Sequence, residues 1–466
     1  MKLRTLLLCF AASTATGLLN AFPTLNYNDG YPLYSTFYPS SILNVQRKES
    51  LKVENGGTGI AERFQFTLTP FGQKATYARD ENKNPVFLGD IHGRLNMLGL
   101  IYGDLPIGVV QPPLLQTAAA QNYAINPPGG SFTNQSYTDD TQQFGFFAAP
   151  LKYRKVGVRG QIAVRAWDFI VSVQGGVADL RQTFTSPINL VDQTPTSQQS
   201  DVYPAGTVAN PINWAIDQAN VEQYLMEPYR AIFQELGVTA APIQQSGQED
   251  VTVLLTWLHN FPVNMHQDPE EWSHFIFTPF IQIGASLATA KAKDPAKIYD
   301  LCLGNNKHNA LQFNAGFCLD FFETIELDVQ GGLTHFYSKT SVQRVPTSDV
   351  QYTLFPYTTT VKWDPGNTWF MAFGTNAYHF LDNLSVYVQY VYMAHLHDHI
   401  ELITPDPAFI PSRLEKDTSF KIQLANFGFN YDISPNFSLG LGVQYPLARR
   451  AAYKAQTILL NIALTF

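Results

Sequence analysis

The chain has 466 residues, of which 45% are hydrophobic, 13% aromatic and only 15% charged, whereas a soluble domain usually carries about 25% charge. Its 31 Gly and 29 Pro argue against a helical bundle, and its 23 Tyr, 33 Phe and 6 Trp are too many buriable side chains for a disordered coil. Beyond the N-terminus no run supplies the roughly 18 apolar residues of a membrane helix, and a formal charge of −8 gives nucleic acid no electrostatic attraction.

Residues 1–21 are expected to be a cleaved secretory signal. Lys2 and Arg4 form a basic start, residues 6–12 an apolar core, and Leu19-Asn20-Ala21 or Ala15-Thr16-Gly17 a small-residue cleavage site. An ordinary N-terminal helix is disfavoured because the Tyr- and Pro-rich stretch that follows continues no helical period. Cys9 follows bulky Leu6-Leu7-Leu8, unlike a lipoprotein signal. Removing Lys2 and Arg4 takes the net charge from −8 to −10.

Alternation then begins. Phe64, Phe66 and Leu68 mark a strand over 60–71, and 86–102 resembles a short hairpin turning at 91–93, whereas the Pro-rich 103–150 is expected to be irregular and exposed. Strands at 152–165 and 168–182 turn at 166–168: Val156, Val158, Ile162 and Val164 interleave with Lys155, Arg159, Gln161 and Arg165. The polar stretch 182–249 holds one helical candidate, opened by Pro211 and carrying Trp214, Val221, Leu225, Tyr229, Ile232, Phe233 and Leu236 before Gly237. Further strands fall at 250–258 and 274–289, and as hairpins at 309–321 with 324–337, 367–379 with 383–395, and 418–430 with 436–446. In the last segment, 456–466, Ile458, Leu460, Ile462, Leu464 and Phe466 alternate with Thr457, Asn461, Ala463 and Thr465.

That closing segment resembles the last strand of bacterial outer-membrane β-barrel proteins, whose terminal Phe is the family's assembly signal. The resemblance implies export to the bacterial outer membrane, contact with its lipids, and Phe466 presented to the barrel assembly machinery. Long polar stretches at 182–249, 290–308, 338–366 and 396–417 alternate with very short turns, as expected for long extracellular loops and short periplasmic turns. The expected fold is therefore all-β, a closed antiparallel transmembrane barrel of about 14 strands, with 12 or 16 as neighbouring counts. Residues 22–59 are expected as a periplasmic or lumen-plugging segment and 60–466 as the barrel. The helical candidate in the long loop either constricts the lumen or packs among the loops.

Strand parity turns Lys155, Arg159 and Arg165 into the lumen on one wall and Asp320, Glu326 and Asp328 on another. Either the two walls set a transverse field that selects solutes, or their charges pair with neighbours. His395, His397 and His399 share a face at a strand end near Glu401, so a metal site is one reading and a hydrated loop edge the other. Cys302 and Cys318 are a candidate disulfide in an oxidising compartment. No Gly-x-Ser-x-Gly, His-Glu-x-x-His or phosphate loop is present, and Asp398-His399 lacks a second acidic pair at a matching strand end, so neither an enzyme nor a cofactor is expected. The expected function is passive diffusion of small solutes through a porin-like channel. The alternative is a plugged structural or adhesin-like barrel acting through its loops. Solute identity and oligomeric state stay open.

Overall fold

A computed structural model describes residues 63–101, 104–125, 146–184, 187–189, 222–239, 241–262, 275–301, 303–321, 324–349, 351–381, 383–434 and 436–466. The expected signal peptide, the 22–59 segment, Cys302 and the first part of the helical candidate lie outside these residues.

Twelve antiparallel strands close into one ring: β1 (Arg63–Ala75), β2 (Leu151–Ala166), β3 (Phe169–Phe184), β4 (Val251–Leu258), β5 (Phe275–Leu287), β6 (Ala310–Phe321), β7 (Ile325–Phe336), β8 (Thr368–Leu381), β9 (Leu384–His395), β10 (Phe420–Ser434), β11 (Phe437–Arg450) and β12 (Gln456–Thr465). Closure is double. β1 pairs with both β12 and β2, and β3 pairs with β4, so no strand of the ring is left with an open edge. One strand outside the ring, Ile243–Gln248, pairs with the upper part of β3 just ahead of β4.

The count of about fourteen is corrected to twelve. The excess came from residues 86–102, which are no membrane hairpin: Pro85–Phe87 and Leu95–Asn96 belong to two small separate sheets, each followed by a 3-10 turn, at Leu88–Asp90 and Leu98–Leu100. Leu88, Ile91, Leu95, Met97 and Leu100 all point into one core, and this absence of alternation separates a folded cap from a strand. The stretch 103–150 also departs from expectation. It contains helix α1 (Pro113–Ile125), with Pro at its start and an Ala-rich interior, and buries Leu115 and Ala118.

Outside, the ring is apolar and exposed: Val171, Val173, Leu255, Ile283, Phe313, Leu327, Phe373, Phe429, Leu441 and Ile458 all face outward. A continuous exposed apolar band around a closed sheet is the arrangement of a barrel that faces lipid. At the end carrying the short turns and Phe466, aromatic rings collect: Phe64 lies 6.1 Å from Phe466, Phe275 5.2 Å from Phe321, and Trp167 and Phe169 are exposed at the β2–β3 turn.

The opposite end carries the long loops, whose described residues are packed into folded units. Leu88, Leu100, Leu115, Phe147, Leu225, Met226, Ile232, Phe233, Leu301 and Leu303 form a core over the barrel mouth, joined from the wall by Phe71 and Leu459. The helical candidate contributes only its last turns to the described residues, a π-helical turn Glu222–Met226 and α2 (Tyr229–Glu235), separated by Pro228. A second loop-end unit is the sheet Lys339–Val345, Tyr357–Asp364 and His399–Leu402, backed by α3 (Pro411–Lys416) around Trp363, Ile400, Phe409 and Leu414.

Candidate functional site: the inner wall of the barrel

Alternation sends every second side chain inward. Lys155 and Arg159 on β2 are fully buried, as are Asp320 on β6 and Glu326 and Asp328 on β7. Their strands stand four and five steps apart around the ring of twelve.

The cations of β2 do not stand alone. Glu249 enters between them, its Oε1 2.5 Å from Lys155 Nζ and its Oε2 2.7 Å from Arg159 Nε, while Arg159 Nη2 donates to Oε1 at 2.9 Å. The Arg159 guanidinium also lies 4.0 Å from the Phe71 ring centre. A β-bulge places Glu249 there. Val177 pairs with Gln248 and Gln174 with Thr252, so three residues of one strand oppose two of β3. The extra residue turns consecutive Glu249 and Asp250 both inward, and Gly176 supplies the room, because a Cβ there would stand 2.6 Å from Glu249 Oε2. Asp250 in turn accepts the amide of Ala290 at 2.9 Å and that of Asn305, tying the 288–309 loop to the rim. Arg165 lies at the short-turn end, its Nε donating to the Trp167 carbonyl at 3.0 Å.

Glu249 and Asp250 were not legible as site residues. An acidic pair at the junction of a polar loop and a strand has the signature of a solvated loop end, and only the bulge makes both residues interior.

The acidic side is arranged differently. Asp320 and Glu326 are direct register partners, and Cys318 faces Asp328. Glu326 accepts the Tyr378 hydroxyl, and Asp328 Oδ2 takes Gln389 Nε2 at 3.4 Å and Gln330 Nε2 at 3.5 Å. Gly374, opposite Asp328, leaves it space that any Cβ would fill. Beside Glu326, Asn376 is its register partner on β8 and is equally buried.

A polar row joins the two charged walls. Stepping from strand to strand, Asp328 is in register with Gly374, then Gln389, Asn426, Gln444, Thr457, Gln73 and finally Lys155. Asn426 Nδ2 donates to Gln389 Oε1 at 3.0 Å and Gln444 Nε2 to Asn426 Oδ1 at 3.1 Å. Further on, Gln73 Nε2 donates to Thr457 Oγ1 at 2.9 Å and Tyr153 OH to Gln73 Oε1 at 3.1 Å. All these side chains are buried. Their amides satisfy one another, as buried polar groups must.

The three histidines separate. His395 is buried at the end of β9, with Nδ1 2.8 Å from Thr368 Oγ1, Nε2 2.8 Å from Asp398 Oδ1, and its ring stacked on Phe420. His397 Nδ1 lies 3.2 Å from the Glu415 carbonyl, and exposed His399 pairs with Glu415 Oε1 at 2.9 Å. Among the described residues no group of three His, Cys, Asp or Glu side chains is placed to hold a metal ion. Asp398 also accepts Trp363 Nε1 at 2.7 Å and the Gly366 amide at 2.8 Å, so it clamps the loop sheet to the rim.

No protein-family model and no curated protein sequence matches this chain. Among solved structures it is similar to an outer-membrane channel from Pseudomonas putida F1, at 9% identity and TM-score 0.43 over 88% of this chain and 97% of that one. The translocator domain of the autotransporter NalP from Neisseria meningitidis matches at 8% identity and TM-score 0.32 over 92% of this chain and 96% of that one. The Pseudomonas putida toluene transporter TodX matches at 9% identity and TM-score 0.29 over 96% of this chain and 98% of that one. At these scores the likenesses carry no argument about what this chain does.

Proposed function

We propose that this chain is a bacterial outer-membrane channel for small solutes, exported through cleavage of residues 1–21 and inserted by assembly machinery that recognises Phe466. The observation that carries this reading is the division of each barrel strand into an exposed apolar outer face and a polar inner face, which holds Lys155 and Arg159 with Glu249 on one side and Asp320, Glu326 and Asp328 on another. A barrel that served only as an anchor would gain stability from an apolar interior, whereas buried charges and amides cost desolvation and are retained where a lumen has work to do. In this reading Lys155, Arg159, Arg165, Asp320, Glu326 and Asp328 line the path, and residues 22–59 sit at its periplasmic mouth or within it.

One observation favours a second reading. The inward side chains are nearly all buried and the loop-end core lies over the mouth, as suits a plugged barrel that acts at the cell surface. Single-channel recording of the refolded full chain in planar bilayers separates the two: discrete conductance steps support the channel, and electrical silence from correctly folded protein overturns it. Insertion has its own test. Deleting Phe466 should lower the heat-modifiable, folded fraction in the membrane, and an equal folded yield would remove the assembly role.

A further inference from the structure

The outward face of the barrel changes chemistry abruptly near the loop end of three adjacent strands. On β1, β2 and β3 the outward positions run through Phe66, Leu68, Val158, Val171, Val173 and Val177 and then become Lys74, Lys152, Arg154 and Arg181, all exposed. The register is specific. Lys74 stands directly opposite Arg154, and Arg154 directly opposite Arg181, so three cations occupy one cross-strand row. Like charges at directly opposed positions destabilise a sheet.

The internal compensation is small. Arg181 Nε holds Asp179 Oδ2 at 2.8 Å, and Asp179 is also engaged by the Ser246 hydroxyl at 2.6 Å. Lys74, Lys152 and Arg154 take part in no ion pair among the described residues. With Asp179 counted, the patch carries three net positive charges on a chain whose formal charge is −8.

We propose that this row is a docking site for a phosphate-bearing lipid headgroup in the leaflet on the loop side of the membrane. Its position supports a lipid: the row is continuous with the apolar band beneath it, so a ligand with its acyl chains on Val158 and Val177 presents its headgroup at the height of Lys74 and Arg154. The side chains supply the rest. Arg grips phosphate through paired N–H donors and Lys adds a point charge, so a bridging phosphate converts a repulsive row into a bound one. Cation clusters at headgroup depth bind anionic lipid by the same electrostatics. This site stands whether the barrel conducts or is plugged, because it lies outside the lumen.

The test uses the refolded full chain in phosphatidylcholine vesicles with and without lipid A, the diphosphorylated glycolipid anchor, and reads thermal unfolding together with retained lipid by native mass spectrometry. Lipid A should raise the unfolding temperature and remain bound, with affinity falling as salt increases. The double variant Lys74→Gln, Arg154→Gln should bind about tenfold more weakly, while the charge-preserving Lys74→Arg, Arg154→Lys should retain binding. Heat-modifiability of each variant checks that it has folded, and since these side chains are exposed, both are expected to fold. Equal binding by wild type and the Gln double variant overturns the site. Equal stabilisation by inorganic phosphate in plain vesicles overturns the lipid assignment.

Discussion

The two faces of one strand give opposite pictures of burial. On β7, Leu327 and Leu333 are 42% and 43% exposed, while Glu326, Asp328 and Gln330 on the other face are only 2–4% exposed. In water this would be an inverted protein, with its greasy residues out and its carboxylates in. The inversion disappears once the outer solvent is hydrocarbon, where an exposed leucine loses nothing and a polar side chain has only the inside to turn to. The loop-end core obeys the ordinary rule, since Leu225, Ile232 and Leu301 are buried to 2% or less. One chain therefore meets two solvents, and the boundary between them is a height on the barrel.

The strongest way to break this comparison is at the inner face. Glu249→Ala removes the carboxylate shared by buried Lys155 and Arg159, and loss of one partner from a buried ion group costs about 3–5 kcal/mol. Reversible unfolding from lipid vesicles should show that loss, and a change below about 1 kcal/mol would mean that water reaches the cations freely.

The outer face comes next. Leu327→Arg at the lipid-facing side should cost about 2–4 kcal/mol if the position is near the midplane. Gln330→Arg, which points inward beside Asp328, should cost far less in the same assay. Equal losses would show that the division of faces is wrong.

The smallest effect is expected on a face that meets water. Lys362 and Glu401 form an exposed pair at 3.6 Å in the loop-end sheet, and Lys362→Ala should change stability by no more than about 1 kcal/mol. A larger change would indicate that the loop sheet is packed against something less polar than water.

The barrel was legible wherever its strands obey one period throughout. Eleven strands from 152 to 466 and one near 60–71 could be placed because lipid outside and polar groups inside force strict alternation, which also set Lys155, Arg159, Asp320, Glu326 and Asp328 on the inner face. The misreadings share a cause. Residues 86–102 and α1 carry apolar side chains into a core through turns and a short helix, so they have no strand period to detect. Glu249 escaped because a bulge defeats parity at that residue. The His395, His397 and His399 spacing implied one face, but the chain leaves β9 after His395, which turns to Thr368 and Asp398 while His397 and His399 both reach Glu415.

The row of amides on the inner wall has a direction. Gln444 donates to Asn426, Asn426 to Gln389, and Gln389 to Asp328, each N–H aimed the same way round the ring. Such a series behaves as a vector with a carboxylate at its head, each link polarising the next. Its sense is set by Asp328 being an acceptor. A group at that position able to donate as well as accept, such as the amide of Asp328→Asn, would let the vector run either way, because each Gln or Asn can reverse by a half-turn of its terminal amide. The carboxylate of Asp328 is thus joined to Gln444, four strands away, through side-chain hydrogen bonds alone.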